Sequence, residues 1–168
     1  MKKLKLIYPF LIAALMIAIF WFSAQVADDS NQTSDLFCET IAHLMISNLD
    51  EMSPDSQAEI IDGFSFIVRK MAHFCEYALM GFLWYLWLRE RRFAPLIALG
   101  ASALYACTDE FHQSFVPGRA CQFRDVLIDS SGAACGILVA FVLVCVVYCA
   151  SHTDIVKWGT WQSSGETP

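Results

Sequence analysis

One stretch limits the fold of this chain more than any other: residues 4–24 carry no charged side chain after Lys5. A helix needs about 20 apolar residues to cross the hydrocarbon layer of a bilayer. In lipid the backbone must satisfy its own hydrogen bonds, so an apolar block of this length reads as a helix. Residues 64–88, 93–108 and 126–150 form three further blocks. The composition agrees, at 57% hydrophobic and 17% charged, where soluble domains carry about 25% charged residues. The expected fold is an all-α membrane protein of four transmembrane helices over residues 1–150, with a polar cytoplasmic tail at 151–168. A secretory signal is the competing reading of the first block. Its apolar run exceeds the roughly 7–15 residues of such a signal. Phe22 and Gln25 also stand where a cleavage site after Ala24 or Ala27 would have small residues.

Charge sets the expected orientation, because cytoplasmic segments are enriched in Lys and Arg. Lys2, Lys3 and Lys5 open the first block, Arg89, Arg91 and Arg92 separate the second from the third, and Lys157 follows the fourth. Seven of the eleven basic residues thus fall on one side, read as cytoplasmic, with both termini. Segment 25–63 has nine acids and no Lys or Arg, and supplies most of the net charge of −6. It is expected outside the cell as a solvated surface, since it lacks the Asp-x-Asp-x-Asp-Gly spacing of a calcium loop. The bilayer is the expected partner, and no nucleic acid is expected. Arg69, Lys70, Arg119 and Arg124 fall on the outer side, against the rule, so each calls for an acidic partner or an anionic ligand.

Local signals refine the pattern. Leu36, Phe37, Ile41, Leu44, Met45 and Leu49 fall at helical spacing after Ser34 and Asp35, which predicts a short amphipathic helix on the outer interface. Ser53-Pro54 starts another helix, cap then proline. Gly63 is expected to bend the chain before the second block. Val116-Pro117-Gly118 reads as a turn, and Trp158 and Trp161 as interfacial anchors of the tail. Cys145 and Cys149, one turn apart, read as packing residues. Cys38, Cys75, Cys107 and Cys121 lie toward the outer side, where a disulfide among them is allowed.

The chemistry concentrates at one end of the expected bundle. Arg69, His73 and Glu76 share a face of the second helix, because residues three and four apart are neighbours. The third helix closes with Asp109, Glu110 and Gln113. Arg119 and Arg124 follow in the connection, and the fourth helix opens with Asp125 and Asp129. An ionisable residue in a membrane helix costs roughly 2.5–3.5 kcal/mol at the centre and is a functional candidate. Gly132-x-x-x-Gly136 permits close helix contact, which would draw Asp125 and Asp129 toward His73, Glu76 and Asp109. The glycine pair serves intramolecular packing and a dimer equally well, so the oligomeric state stays open. So many polar groups imply an outward-facing polar site. Three uses fit: His73, Glu76 and Asp109 as ligands of a divalent metal that activates water; His73, Glu76, Asp109, Glu110 and Asp125 as acid–base groups; or the arginines holding an anionic headgroup, in a binding set of Arg69, Lys70, Gln113, Arg119, Arg124 and Asp129. A purely structural network is the competing explanation.

These strings also resemble a known family. Arg69-Lys70-x-x-His73-Phe74-x-Glu76-Tyr77-x-x-x-Gly81 is similar to the first signature of the VanZ-like family. Tyr105-x-x-x-Asp109-Glu110-x-x-Gln113-x-Phe115-x-Pro117-Gly118-Arg119, continuing to Asp125-Val126, is similar to the second. Phe22-Ser23-x-Gln25 and Gly132-x-x-x-Gly136 also match, so the likeness covers about residues 6–148. Asp129 departs from it, family members often having asparagine there, and the 36–62 insert is longer than usual. The resemblance implies a bacterial inner-membrane protein. Its founding member is associated with resistance to the glycopeptide teicoplanin, an association at family level rather than a mechanism. The expected function is binding of, or action on, an envelope lipid or cell-wall precursor, as a membrane-embedded hydrolase or transferase. The alternative is a non-enzymatic accessory protein.

Overall fold

A computed structural model describes residues 6–24, 38–46, 48–117 and 119–162, with side chains to residue 152 except that of Asp50. Among the described residues the chain is all-helical, without strands. Helix α1 is Ile7–Ser23, α2 is Pro54–Leu88, α3 is Ala94–Gln113 and α4 is Phe123–Gln162. Residues 38–45 are also helical, and Leu49–Glu51 form a 3-10 turn. Each of the four α-helices holds most of one expected apolar block. One of them, α4 from Phe123 to His152, is long and apolar enough to cross a membrane, and α1 is a shorter apolar helix.

The helix boundaries follow local chemistry. The Ser53 side chain accepts a hydrogen bond from the Ser56 backbone N–H at 3.3 Å, and Pro54 fills the first helical position. This is the expected cap. Gln57 donates to the carbonyls of Leu49 and Met52, at 3.0 and 3.1 Å, and fastens the 3-10 turn onto α2. The bend expected at Gly63 does not occur, because α2 is one continuous helix of 35 residues. A helical glycine costs roughly 1 kcal/mol relative to alanine, too little to break a helix whose neighbours on both sides continue the hydrogen-bond ladder. Helix α3 runs through Asp109 to Gln113, so the acids that follow the third apolar block are its last turn. Helix α4 continues past Ala150 to Gln162, so the tail begins in helical form.

In the insert, Cys38 and Ala42 are fully buried while Leu44 and Met45 are exposed, so segment 38–45 hides one face. The proposed cap at Ser34, with Asp35, Leu36 and Phe37, lies outside the described residues, as do Lys2, Lys3, Lys5, Gln25 and Gly118. The side chains of Lys157, Trp158 and Trp161 lie outside them too. All seven cysteines are free, so the disulfide entertained among Cys38, Cys75, Cys107 and Cys121 is absent.

Helix α2 touches α1, α3 and α4, and its most extensive contact is with α4. Glycine makes that contact close. A Cβ on Gly136 would lie 1.8 Å from the Ala78 carbonyl oxygen, and one on Gly132 would lie 2.3 Å from that of Phe74. Across the same seam a Cβ on Gly81 would meet the Ala133 carbonyl oxygen at 2.3 Å. The Gly132-x-x-x-Gly136 face is therefore used within the chain. Ile19, Tyr77, Met80, Ala106 and Val126 make one core cluster, and Tyr85, Ala94, Ala98, Ile137 and Ala140 another. The outside is lined by exposed apolar side chains such as Phe10, Ile17, Leu79, Leu104, Leu138 and Val146.

Candidate functional site

The turn at 89–93 joins α2 to α3 at one end of the bundle. The residues singled out by sequence gather toward the other end, where α1 and α3 finish and α4 begins. Asp109 is the centre of the group. It is 2% exposed, and its Oδ2 accepts from Ser23 Oγ at 2.9 Å and from Gln113 Nε2 at 3.1 Å. Gln113, one turn beyond Asp109, in turn accepts from Arg119 Nη1 at 3.4 Å. Three elements are thereby tied: the last residue of α1, the last turn of α3 and the connection to α4.

Electrostatics extend the group across α2 and α4. The Asp109 carboxylate interacts with His73, Glu76, Tyr77, Tyr105 and Asp129. His73 Nδ1 lies 3.8 Å from Glu76 Oε2, one turn along the same helix face. Asp129 is buried at the start of α4, one turn after Asp125. Lys70 donates to Asp125 Oδ2, while Arg124 Nε stands 3.9 Å from Oδ1 of the same carboxylate. Lys70 and Arg124 both lie over the Phe66 ring. Arg124 is the most open of the set, its side chain 61% exposed, and marks the rim.

Glu110 has a different task from its neighbour. Its Oε2 accepts the backbone N–H of Gln122 at 2.9 Å and so anchors the chain just before α4 to the end of α3. Arg119 is half-buried in that connection. Desolvation holds its guanidinium pKa below the ordinary value and Arg69 pushes the same way, while Asp109 and Glu110 oppose them. Arg69 has its own interactions and faces Arg119 from α2.

Several buried polar atoms in the group have no hydrogen-bond partner: Asp109 Oδ1, Tyr77 Oη, His73 Nδ1 and Asp125 Oδ1. Buried polar atoms are paired in the great majority of cases, so these four carry hydrogen-bonding capacity that the protein's own side chains leave unused. Among the described residues no three His, Cys, Asp or Glu side chains gather so as to hold an ion. One Asp109 oxygen is taken by Ser23 and Gln113, and His73 and Glu76 sit one turn apart on α2.

All of the expected site residues reach this end of the bundle, at different depths. Three contributors escaped the sequence reading. Ser23 lies in a string with a family likeness, but its contact with Asp109 joins residues 86 apart in sequence. Tyr77 is one turn from His73 on the same helix face and lies in a string with a family likeness, but the sequence assigns it no role of its own. Tyr105 Oη donates to the Met16 carbonyl oxygen at 2.6 Å, pinning α3 to α1 beneath the group.

Comparison with curated proteins and with solved structures gave no match. Comparison with family descriptions gave one, VanZ/LLP1, over residues 8–146. That span takes in α1, α2, α3, every member of the buried group and the glycine seam, and on it the chain belongs to the VanZ/LLP1 family.

Proposed function

We propose that this chain is a multi-pass protein of the bacterial inner membrane, with four spanning helices and both termini cytoplasmic. Its outward site binds an envelope lipid or cell-wall precursor and acts on it by acid–base chemistry. The observation that carries this reading is the group around Asp109, where side chains from four helices meet and leave buried acceptors unpartnered. Exposed apolar residues on all four helices support the membrane setting, as does the apolar length of α4. The Arg89, Arg91 and Arg92 turn, at the end away from the site, supports the orientation. His73 beside Glu76 supplies the proton-transfer pair, and Asp109 the charge that orients it.

The family's association makes teicoplanin susceptibility the first readout. A host expressing the chain is expected to be less susceptible than one without it, and His73→Ala and Glu76→Gln are expected to abolish the difference. If both variants insert, unfold at the wild-type temperature and keep the phenotype, acid–base chemistry is wrong. The chain is then a binding protein. The hydrogen-bond chain Ser23–Asp109–Gln113–Arg119 favours that second reading, being the kind of network that holds helices in register.

A further inference from the structure

The buried group is divided by charge. Asp109, Glu76 and Asp129 lie together around the fully buried Tyr77. Their open positions include acceptors: Asp109 Oδ1, a lone pair of the Tyr77 hydroxyl and, in one tautomer, His73 Nδ1. Asp109 and Glu110 also occupy the closing turns of α3. That is the negative end of the helix dipole, where a carboxylate is disfavoured and a cation is favoured. A positively charged group with several N–H donors answers all of these at once.

The other half is cationic. Arg119 is half-buried beside the start of α4, with Arg69 opposite it and Arg124 at the rim. Guanidinium groups beside a helix N-terminus suit a phosphate. Gln113 separates the halves. It donates to Asp109 and accepts from Arg119, so the two charges stand one side-chain amide apart. A phosphate and an amine joined by two carbons can bridge that span. Phe66, Phe111, Phe115 and Phe123 are exposed around this end, an apolar rim suited to the acyl chains of a lipid whose headgroup enters the site.

We propose that the site takes a phosphate ester carrying a primary ammonium group, supplied by a phospholipid of the ethanolamine type. The ammonium sits against Asp109 and Tyr77, and the phosphate against Arg119. This rests on the ligand-site reading above and names the ligand class.

The test uses the full chain in detergent micelles, titrated with short-chain phosphatidylethanolamine, phosphatidylcholine and phosphatidylglycerol, and with glycerophosphoethanolamine as the headgroup alone. Binding is read from intrinsic fluorescence and unfolding temperature. Phosphatidylethanolamine is expected to bind at least tenfold tighter than the other two lipids, since choline has no N–H donor and glycerol no charge. Asp109→Asn is expected to remove that preference, and Arg119→Gln to weaken all three lipids. Asp129→Asn, a near-isosteric change, is expected to reduce the preference and serves where Asp109→Asn does not fold. Equal binding of the three lipids overturns the ammonium subsite but leaves a ligand site in place. Headgroup binding as tight as that of the lipid overturns the phospholipid source. Absence of binding by every probe overturns the inference altogether, and the phenotype of His73→Ala then decides separately whether the broader reading stands.

Discussion

Asp109 holds its place through two neutral donors, Ser23 and Gln113. A hydrogen bond to a charged group is worth about 1.5–3 kcal/mol when both partners are buried. Ser23→Ala is therefore expected to lower stability by about that amount, and Ser23→Thr, which keeps the hydroxyl, by less; chemical unfolding in micelles measures both. Lys70 and Asp125 make a second pairing, part-buried and bridging α2 to α4. Lys70→Gln and Asp125→Asn are each expected to destabilise, and the double variant by less than their sum. A double-variant cycle that is strictly additive would show the pair to be uncoupled. At this scale the sequence is legible only along a helix. Asp109 with Gln113, and His73 with Glu76, follow from spacing alone. The contact of Ser23 with Asp109 does not, because nothing local links residues on separate helices. Glu110 and Asp109 are adjacent acids that sequence treats alike. The fold gives Glu110 a backbone N–H to hold and leaves Asp109 with an open oxygen.

Between helices the decisive contacts belong to glycine. The space a side chain would need at Gly136 or Gly132 is filled by backbone of α2, which cannot rotate away as a side chain could. Gly136→Ala is expected to cost about 1–3 kcal/mol or more, as overpacking does, and to displace α4 from α2. Gly100→Ala and Gly63→Ala face open space and are expected to be neutral or to gain up to about 1 kcal/mol from helix propensity. Unfolding temperatures of the three variants give the ranking directly, and equal losses at all three would refute it. The glycine pair was visible in the sequence, but which surface it packs against was not, since small-x-x-x-small spacing is the same within a chain and between chains. Gly63 misled for the opposite reason. Glycine marks many bends, yet here the Ser53 cap and the long run after it keep the helix whole.

As a whole molecule the chain is a helical bundle with its buried polar side chains toward one end, and the spacing of those residues along the sequence anticipated their gathering. The free state of every cysteine predicts that reduced and oxidised protein migrate alike on gels. Under denaturing conditions without reductant, a maleimide is expected to add to all seven. A reporter fused in the 89–93 turn is expected on the cytoplasmic face, and one fused in the 114–122 connection on the outer face; the reverse pattern would invert the proposed topology. Helix α2 has a further consequence at this scale. At about 1.5 Å per residue its uninterrupted 35 residues make a rod of about 52 Å, and about 28 Å of it separates Pro54 from His73. A rod without a hinge cannot absorb displacement locally. Whatever tilts or rotates the fastened turn at Leu49–Glu51 turns His73 and Glu76 with it, so that turn and the two side chains are mechanically a single part.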